Sequence, residues 1–148
     1  MASRPPSVLI IEARFYQDIS DELAAGATAE LERGGVAYER VAVPGALEIP
    51  IALSVAIRQG LVGPGSKHQG AVALGCVIRG ETSHYDIVAG ESARGLMQLG
   101  LEHAVPVGNG ILTVDNRAQA DARASIDGKN KGQGAAAACL ALMEMAAK

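Results

Sequence analysis

Apolar positions along the chain alternate between two spacings from one end to the other. Val8 to Ile11 is a short run of branched aliphatic residues, and Ile19, Leu23, Ala27 and Leu31 follow at intervals of four, the stripe of a helix. Gly34-Gly35 ends that helix. Val36 to Val43 reads as a second strand, polar enough at Glu39 and Arg40 for a sheet edge, and Pro44-Gly45 breaks it. Pro50 suits the first turn of the next helix, where its missing N–H has no partner to lose, and Gly60 closes it. Gly45 to Glu48 is therefore predicted as a connecting loop.

Leu61 to Gln69, punctuated by glycine and proline and carrying Lys67 and His68, is predicted as a surface connection. The continuous apolar run from Gly70 to Ile78 has the composition of an interior parallel strand, apolar on both faces. Ser83 to Leu101 is long enough for a helix, and Val105 to Val114 reads as a fourth strand with Pro106 near its start. Asn116 to Ala124 is predicted as a short polar helix. After the loop Asp127 to Gly134, Ala136, Leu140, Met143 and Ala147 form one stripe of a terminal helix. Strands alternating with helices predict a three-layer αβα sandwich of flavodoxin-like type around a four-stranded parallel sheet with right-handed crossovers. No repeat or linker divides the chain, so one domain over residues 1–148 is expected.

In sheets of this kind ligands bind beyond the carboxyl ends of the strands. Arg14-Phe15, Gly45 to Glu48, Arg79 to His84 and Asp115-Asn116 each follow one of the four strands, so four polar loops converge on one edge. The most informative is Gly75 to Asp86, where a buried strand runs into Gly80, Thr82 and Ser83, a flexible turn with helix-capping hydroxyls whose free N–H groups suit an anion. His84 stands beside it, and histidine is the side chain best suited to exchanging protons near neutral pH. Phe15 is the only phenylalanine of a chain without tryptophan, and it lies in a loop where a planar ligand could stack on it or where it could anchor the loop. Tyr16 could do the same. The Glu48 carboxylate is placed to accept from polyol hydroxyls or to favour a helix start, and Glu81 shares that ambiguity. Arg79 reads as a solvated strand end, and Arg123 and Lys131 as solvated charges that could also reach a phosphate, in this chain or from a neighbouring one.

Composition removes several alternatives. The net charge of -3 with 13 scattered Lys and Arg residues offers no footprint for nucleic acid. Met1 to Ser7 lacks the apolar core of a secretion signal, and no run approaches the length of a membrane span, so a soluble cytoplasmic protein is expected. Cys76 and Cys139 form no CxxC and read as small buried hydrophobes, implying neither metal nor disulfide. Lys129 to Gly134 is rich in glycine and lysine but lacks the spacing of a P-loop.

Five segments in order, Arg14-Phe15, Val43 to Pro50, Gly75 to Asp86, Gly110 to Thr113 and Asn130 to Gly132, make the chain resemble the lumazine synthase family from about Val8 to Met145. The resemblance implies a cofactor-free condensation of 5-amino-6-(D-ribitylamino)uracil with 3,4-dihydroxy-2-butanone 4-phosphate in riboflavin biosynthesis. It also implies roles. Phe15 stacks on the uracil, Ala46, Leu47 and Glu48 hold the ring and ribityl chain, and Cys76, Val77 and Ile78 offer backbone groups to the pyrimidine. Glu81 and Thr82 bind the butanone phosphate with Arg123, Lys131 lies near that phosphate, and His84 transfers protons. The chain departs from the family pattern at Tyr16, where many members have asparagine, and at Asn109, where many have a phenylalanine that reaches the uracil from a neighbouring subunit. Asn109 is expected to hydrogen-bond the ring instead. Members form pentamers with sites between adjacent subunits, and some assemble twelve pentamers into a shell. The proline-bearing N-terminus favours a free pentamer here. A non-catalytic flavodoxin-like module for a flavin or a phosphorylated ligand would use the same stacking ring and anion turn, and a structural shell protein is a third reading.

Overall fold

A computed structural model describes residues 5–148, so the part of the N-terminal reading that falls on Met1 to Arg4 lies outside the described residues. The elements run β1 (Ser7–Ala13), α1 (Gln17–Arg33), β2 (Ala37–Val43), α2 (Glu48–Arg58), β3 (Gly70–Ile78), α3 (His84–His103), β4 (Val107–Val114), α4 (Arg117–Ala124) and α5 (Lys131–Ala146). The four strands form one all-parallel sheet in the order β2-β1-β3-β4, flanked by the five helices, which is the flavodoxin-like sandwich predicted from the alternation.

The period-two alternation of β1, β3 and β4 sorts their side chains between two cores. Val8 and Ile10 of β1, Val72 and Leu74 of β3 and Leu112 and Val114 of β4 face α1, α4 and α5, where Leu23, Ala27, Leu31, Ala120, Ala136 and Cys139 meet them. Leu9, Ile11, Ala13, Ala71 and Ala73 face α2 and α3 through Ile49, Leu53 and Leu96. Each fully buried Ile or Leu contributes about 1.5–3 kcal/mol relative to exposure, which is why the inner strands tolerate almost no polar residue. β2 lies at the edge with its side chains largely exposed, as Glu39 and Arg40 led us to expect.

Three expectations need correction. β1 extends past Ile11 to Ala13 and buries Glu12 at 3% exposure, because Arg40 Nε of β2 at 2.6 Å and Arg14 Nη1 at 2.7 Å donate to its carboxylate. The terminal helix begins at Lys131, inside the segment read as loop. Asn130, in the left-handed region at φ 46°, caps it by accepting from the Gln133 N–H at 3.4 Å, and Gly132 lets it pack tightly, since a Cβ there would lie 2.1 Å from the Leu23 carbonyl oxygen. The connection 61–69 is not wholly a surface segment, because Val62, Gly63 and His68 are buried.

His68 is held by the Ser7 hydroxyl at 2.7 Å from Nδ1, and its Nε2 lies 3.6 Å from Glu39, which also pairs with Lys67. Burial pushes the imidazole below its ordinary value of 6.5, Lys67 adds to the effect and Glu39 opposes it. A group neutral when folded and charged when unfolded contributes stability that is present above the unfolded value and lost as pH falls from there toward the folded one. Thermal unfolding followed from about pH 7.5 to pH 5 is expected to show a steeper acid loss in the wild type than in His68→Gln, in the range where histidine titrates. Parallel curves would assign the slope to other groups.

Candidate functional site

Helix α1 follows β1 on one face of the sheet and leads to β2, whereas α3 follows β3 on the other face and leads to β4, so connections leave β1 and β3 in opposite directions and open a crevice between their carboxyl ends. Pairing of β3 with β1 ends at Leu74↔Glu12, whereas pairing with β4 continues to Ile78↔Val114. The backbone of Cys76, Val77 and Ile78 is therefore unpaired on the β1 side, and strand register, not any side chain, produces that free edge. Burial pushes the Cys76 thiol up to about 11 and the Cys139 thiol up to about 12, so neither is a thiolate nucleophile at neutral pH.

Phe15 lies just past β1 and is 74% exposed, which excludes an anchoring role for its ring. Its edge-to-face contact with Tyr16, centroids 4.9 Å apart, steadies the ring and leaves most of it uncovered. Tyr16 itself is half-buried against the core and precedes α1 as its N-cap, so it does not offer the equivalent surface expected of it. The loop is held from beneath by Glu12, Arg14 and Arg40, with Arg14 also paired to Asp21. Sequence reading missed Glu12. The signal was a carboxylate interrupting an apolar strand two residues before an arginine.

Ala46 is buried, Leu47 is the N-cap of α2 and Glu48 is that helix's first residue, half-buried and without a protein hydrogen-bond donor on its carboxylate among the described residues. Both readings of Glu48 survive in this position, since a first-turn carboxylate suits the helix dipole and remains able to accept from a ligand. Leu47 and Glu48 also border a concavity of about 610 Å³ between α2 and α3.

The turn from Arg79 to Ser83 joins β3 to α3. The amides of Gly80, Glu81, Thr82 and Ser83 have no protein acceptor among the described residues, and Ser83 caps α3 without a side-chain bond. These four N–H groups, three of them ahead of the cap of a 20-residue helix, are of a kind suited to receiving an anion. Thr82 Oγ1 accepts from the His84 N–H at 3.3 Å, while the exposed His84 ring has no partner among the described residues.

The remaining candidates lie elsewhere. Asn109, Arg123 and Lys131 line a groove of about 430 Å³ along the outer edge of β4, and none of Phe15, Ala46 to Glu48, Cys76 to Ile78 or Glu81 to His84 borders it. Arg123 donates to the Gln119 carbonyl at 3.1 Å, and Lys131 is the exposed first residue of α5. Asn109 Oδ1 accepts from the Ile111 N–H at 2.9 Å, which uses one lone pair on its own strand and leaves its amide donor and second lone pair open to a ligand. In the fourth loop Asn116 caps α4 and Asp115 pairs with Arg79. Among the described residues no cluster of His, Cys, Asp or Glu could hold a metal ion, and no helix is long and apolar enough to cross a membrane.

A family model described as 6,7-dimethyl-8-ribityllumazine synthase matches residues 5–147. Curated proteins of that name resemble the chain closely. The one from Xanthobacter autotrophicus is 56% identical over 138 residues, 93% of this chain and 83% of its own length. The one from Methylocella silvestris is 58% identical over 134 residues, 90% of this chain and 81% of its own. The protein from Agrobacterium fabrum is 50% identical over 97% of this chain and 96% of its own. With the sheet, the crevice at its switch point and a match over nearly the whole length, the chain belongs to the 6,7-dimethyl-8-ribityllumazine synthase family.

Proposed function

We propose that this protein makes 6,7-dimethyl-8-ribityllumazine in riboflavin biosynthesis by condensing 5-amino-6-(D-ribitylamino)uracil with 3,4-dihydroxy-2-butanone 4-phosphate, and that it does so as a single-domain, cytoplasmic homo-oligomer without a cofactor. The observation that carries the reading is the pairing of an uncovered aromatic ring and free strand backbone with a turn of four unsatisfied amides. One suits a planar pyrimidine and the other a phosphate.

The pyrimidine stacks on Phe15 and bonds the free backbone of Cys76 to Ile78, while Ala46, Leu47 and Glu48 receive ring and ribityl chain. The phosphate sits at Glu81 and Thr82. The substrate amine attacks the ketone, a water leaves to give an imine, phosphate is eliminated, and ring closure releases a second water. His84 moves the protons these steps require. Holding both reactants together supplies the larger share of the acceleration.

Arg123, Lys131 and Asn109 act from a neighbouring copy. Their separate groove on the β4 edge supports this, as does the uncovered apolar stripe of α3, where Ile87, Met97 and Leu101 are 54%, 64% and 76% exposed. A pentamer with shared sites accommodates both features.

The test is lumazine absorbance from the two substrates, compared with the spontaneous rate. Wild type is expected to exceed that rate, and His84→Ala and Arg123→Met are each expected to lose most of it. Dissociated together and reassembled, the two variants should recover activity, because some sites then combine an intact His84 with an intact neighbouring Arg123. Mixed assemblies as inactive as their parents would place both residues in one chain's site. A wild type no faster than background would reject the synthase.

A further inference from the structure

The anion turn carries four free amides and almost no internal bonding, so something outside it must fix its shape. Arg79 is positioned to do so. Its backbone N–H donates to the Val114 carbonyl at 2.8 Å, tying the start of the turn to β4. Its guanidinium Nε lies 3.1 Å from Asp115 Oδ1, just beyond β4, and Nη1 lies 3.6 Å from Asp86 Oδ1, in the first turn of α3. The same group covers the Tyr85 ring at 4.2 Å from its centroid. One side chain thus connects both ends of the turn and the end of the neighbouring strand. The residue read from sequence as a solvated strand end spans the whole loop.

We infer that Arg79 is a positioning residue of the reaction: held by two carboxylates and a tyrosine ring, it orients the amides of residues 80–83 and His84 toward the phosphate-bearing substrate. The inference rests on the proposed assignment of this turn to the phosphate. Two physical consequences separate Arg79 from an ordinary surface ion pair. Exposed pairs contribute about 0–1 kcal/mol to stability, so its removal should barely change folding. Removal also leaves Asp86 and Asp115 without their shared cation beside an anion seat, so a phosphate ester should be repelled while the uracil is unaffected. Lysine restores the charge but not the planar fork that reaches both carboxylates while stacking on Tyr85.

The experiment is steady-state kinetics on the full-length assembly of wild type, Arg79→Met, Arg79→Lys and Thr82→Pro, with each substrate varied and inorganic phosphate as a competing inhibitor. Arg79→Met is expected to raise KM for the butanone phosphate and the inhibition constant for phosphate by about 10-fold or more, and to lower kcat by about 10-fold, through lost alignment and charge balance. KM for the uracil should stay within about two-fold and Tm within about 3 °C, as for an exposed pair. Arg79→Lys should recover most of the phosphate KM but not kcat. Thr82→Pro removes one amide of the seat. If it raises the phosphate KM and Arg79→Met does not, the positioning role is wrong and the phosphate assignment stands. If neither variant changes it, the assignment itself fails. Equal increases in both substrates' KM, or a large loss of Tm, would reduce Arg79 to a structural residue and overturn the inference.

Discussion

Replacement of His84 by alanine is expected to lower the rate of lumazine formation by ~10²- to 10⁴-fold, the usual worth of a positioned general acid or base. Binding of the ribitylaminouracil should stay within about two-fold, because the groups proposed for the uracil lie in the loop after β1, on β3, in the turn into α2 and on β4, which the substitution leaves intact. The imidazole is exposed and makes no protein hydrogen bond among the described residues, so its loss uncovers no buried group and opens no cavity. Folding should be unchanged, and a kinetic defect can then be read as a catalytic one. His84→Gln refines the reading, since glutamine keeps a hydrogen-bonding side chain of similar reach but cannot relay a proton. Equal losses in both variants would assign proton transfer to His84. A glutamine variant near wild type would leave only an orienting hydrogen bond, and an alanine variant near wild type would leave the reaction to proximity alone.

How much of this was legible in the chain depended on whether the physics was local. The strands, the stripe of α1 and the polar edge strand β2 are written in periodicity, and apart from the two-residue extension of β1 to Ala13 they appear about where the pattern places them. The turn after β3 was legible too, because a glycine hinge followed by Thr82 and Ser83 at the end of a buried strand is a local arrangement. What could not be read were pairings between residues far apart. The buried state of Glu12 depends on Arg40, 28 residues away, and that of His68 on Ser7, 61 residues away. The free backbone of Cys76 to Ile78 follows from where β1 stops pairing, a property of register. Arg79 is solvated as its sequence suggests, but its pairing with Asp115, 36 residues further on, was not legible because sheet order alone brings the two together. Asn109 shows the limit from the other side. Its residue type suggests a hydrogen bond to a ligand, and the structure adds a bond from the Ile111 N–H of its own strand that residue type does not reveal.

The largest structural effect is expected on β4, at a position with no part in the chemistry. A Cβ on Gly108 would lie 1.9 Å from the Ala135 carbonyl oxygen and 2.8 Å from the Ala135 carbonyl carbon, both backbone atoms of α5. No rotamer change relieves a clash between strand and helix backbone, so α5 must move outward and loosen its contacts with Leu112, Val72 and Leu23. Overpacking typically costs about 1–3 kcal/mol and more where backbone must shift, so Gly108→Ala should lose about 3 kcal/mol or more and roughly 10 °C of Tm. Gly108→Val adds two methyl groups to the same gap, and against a total stability of about 5–15 kcal/mol it is expected to yield little folded protein. Gly134→Ala provides the contrast. It lies on α5 with nothing within 4 Å of the added Cβ, and helix propensity should make it neutral or more stable by up to about 1 kcal/mol. Opposite signs for these two Gly→Ala changes, measured by thermal unfolding at equal chain concentration, would show that close backbone approach is what β4 requires of Gly108. A Gly108→Ala protein within about 3 °C of wild type would mean that α5 can withdraw at little cost. The β4-edge groove that contains Arg123 and Lys131 would then be a deformable surface and not a fixed half of the site.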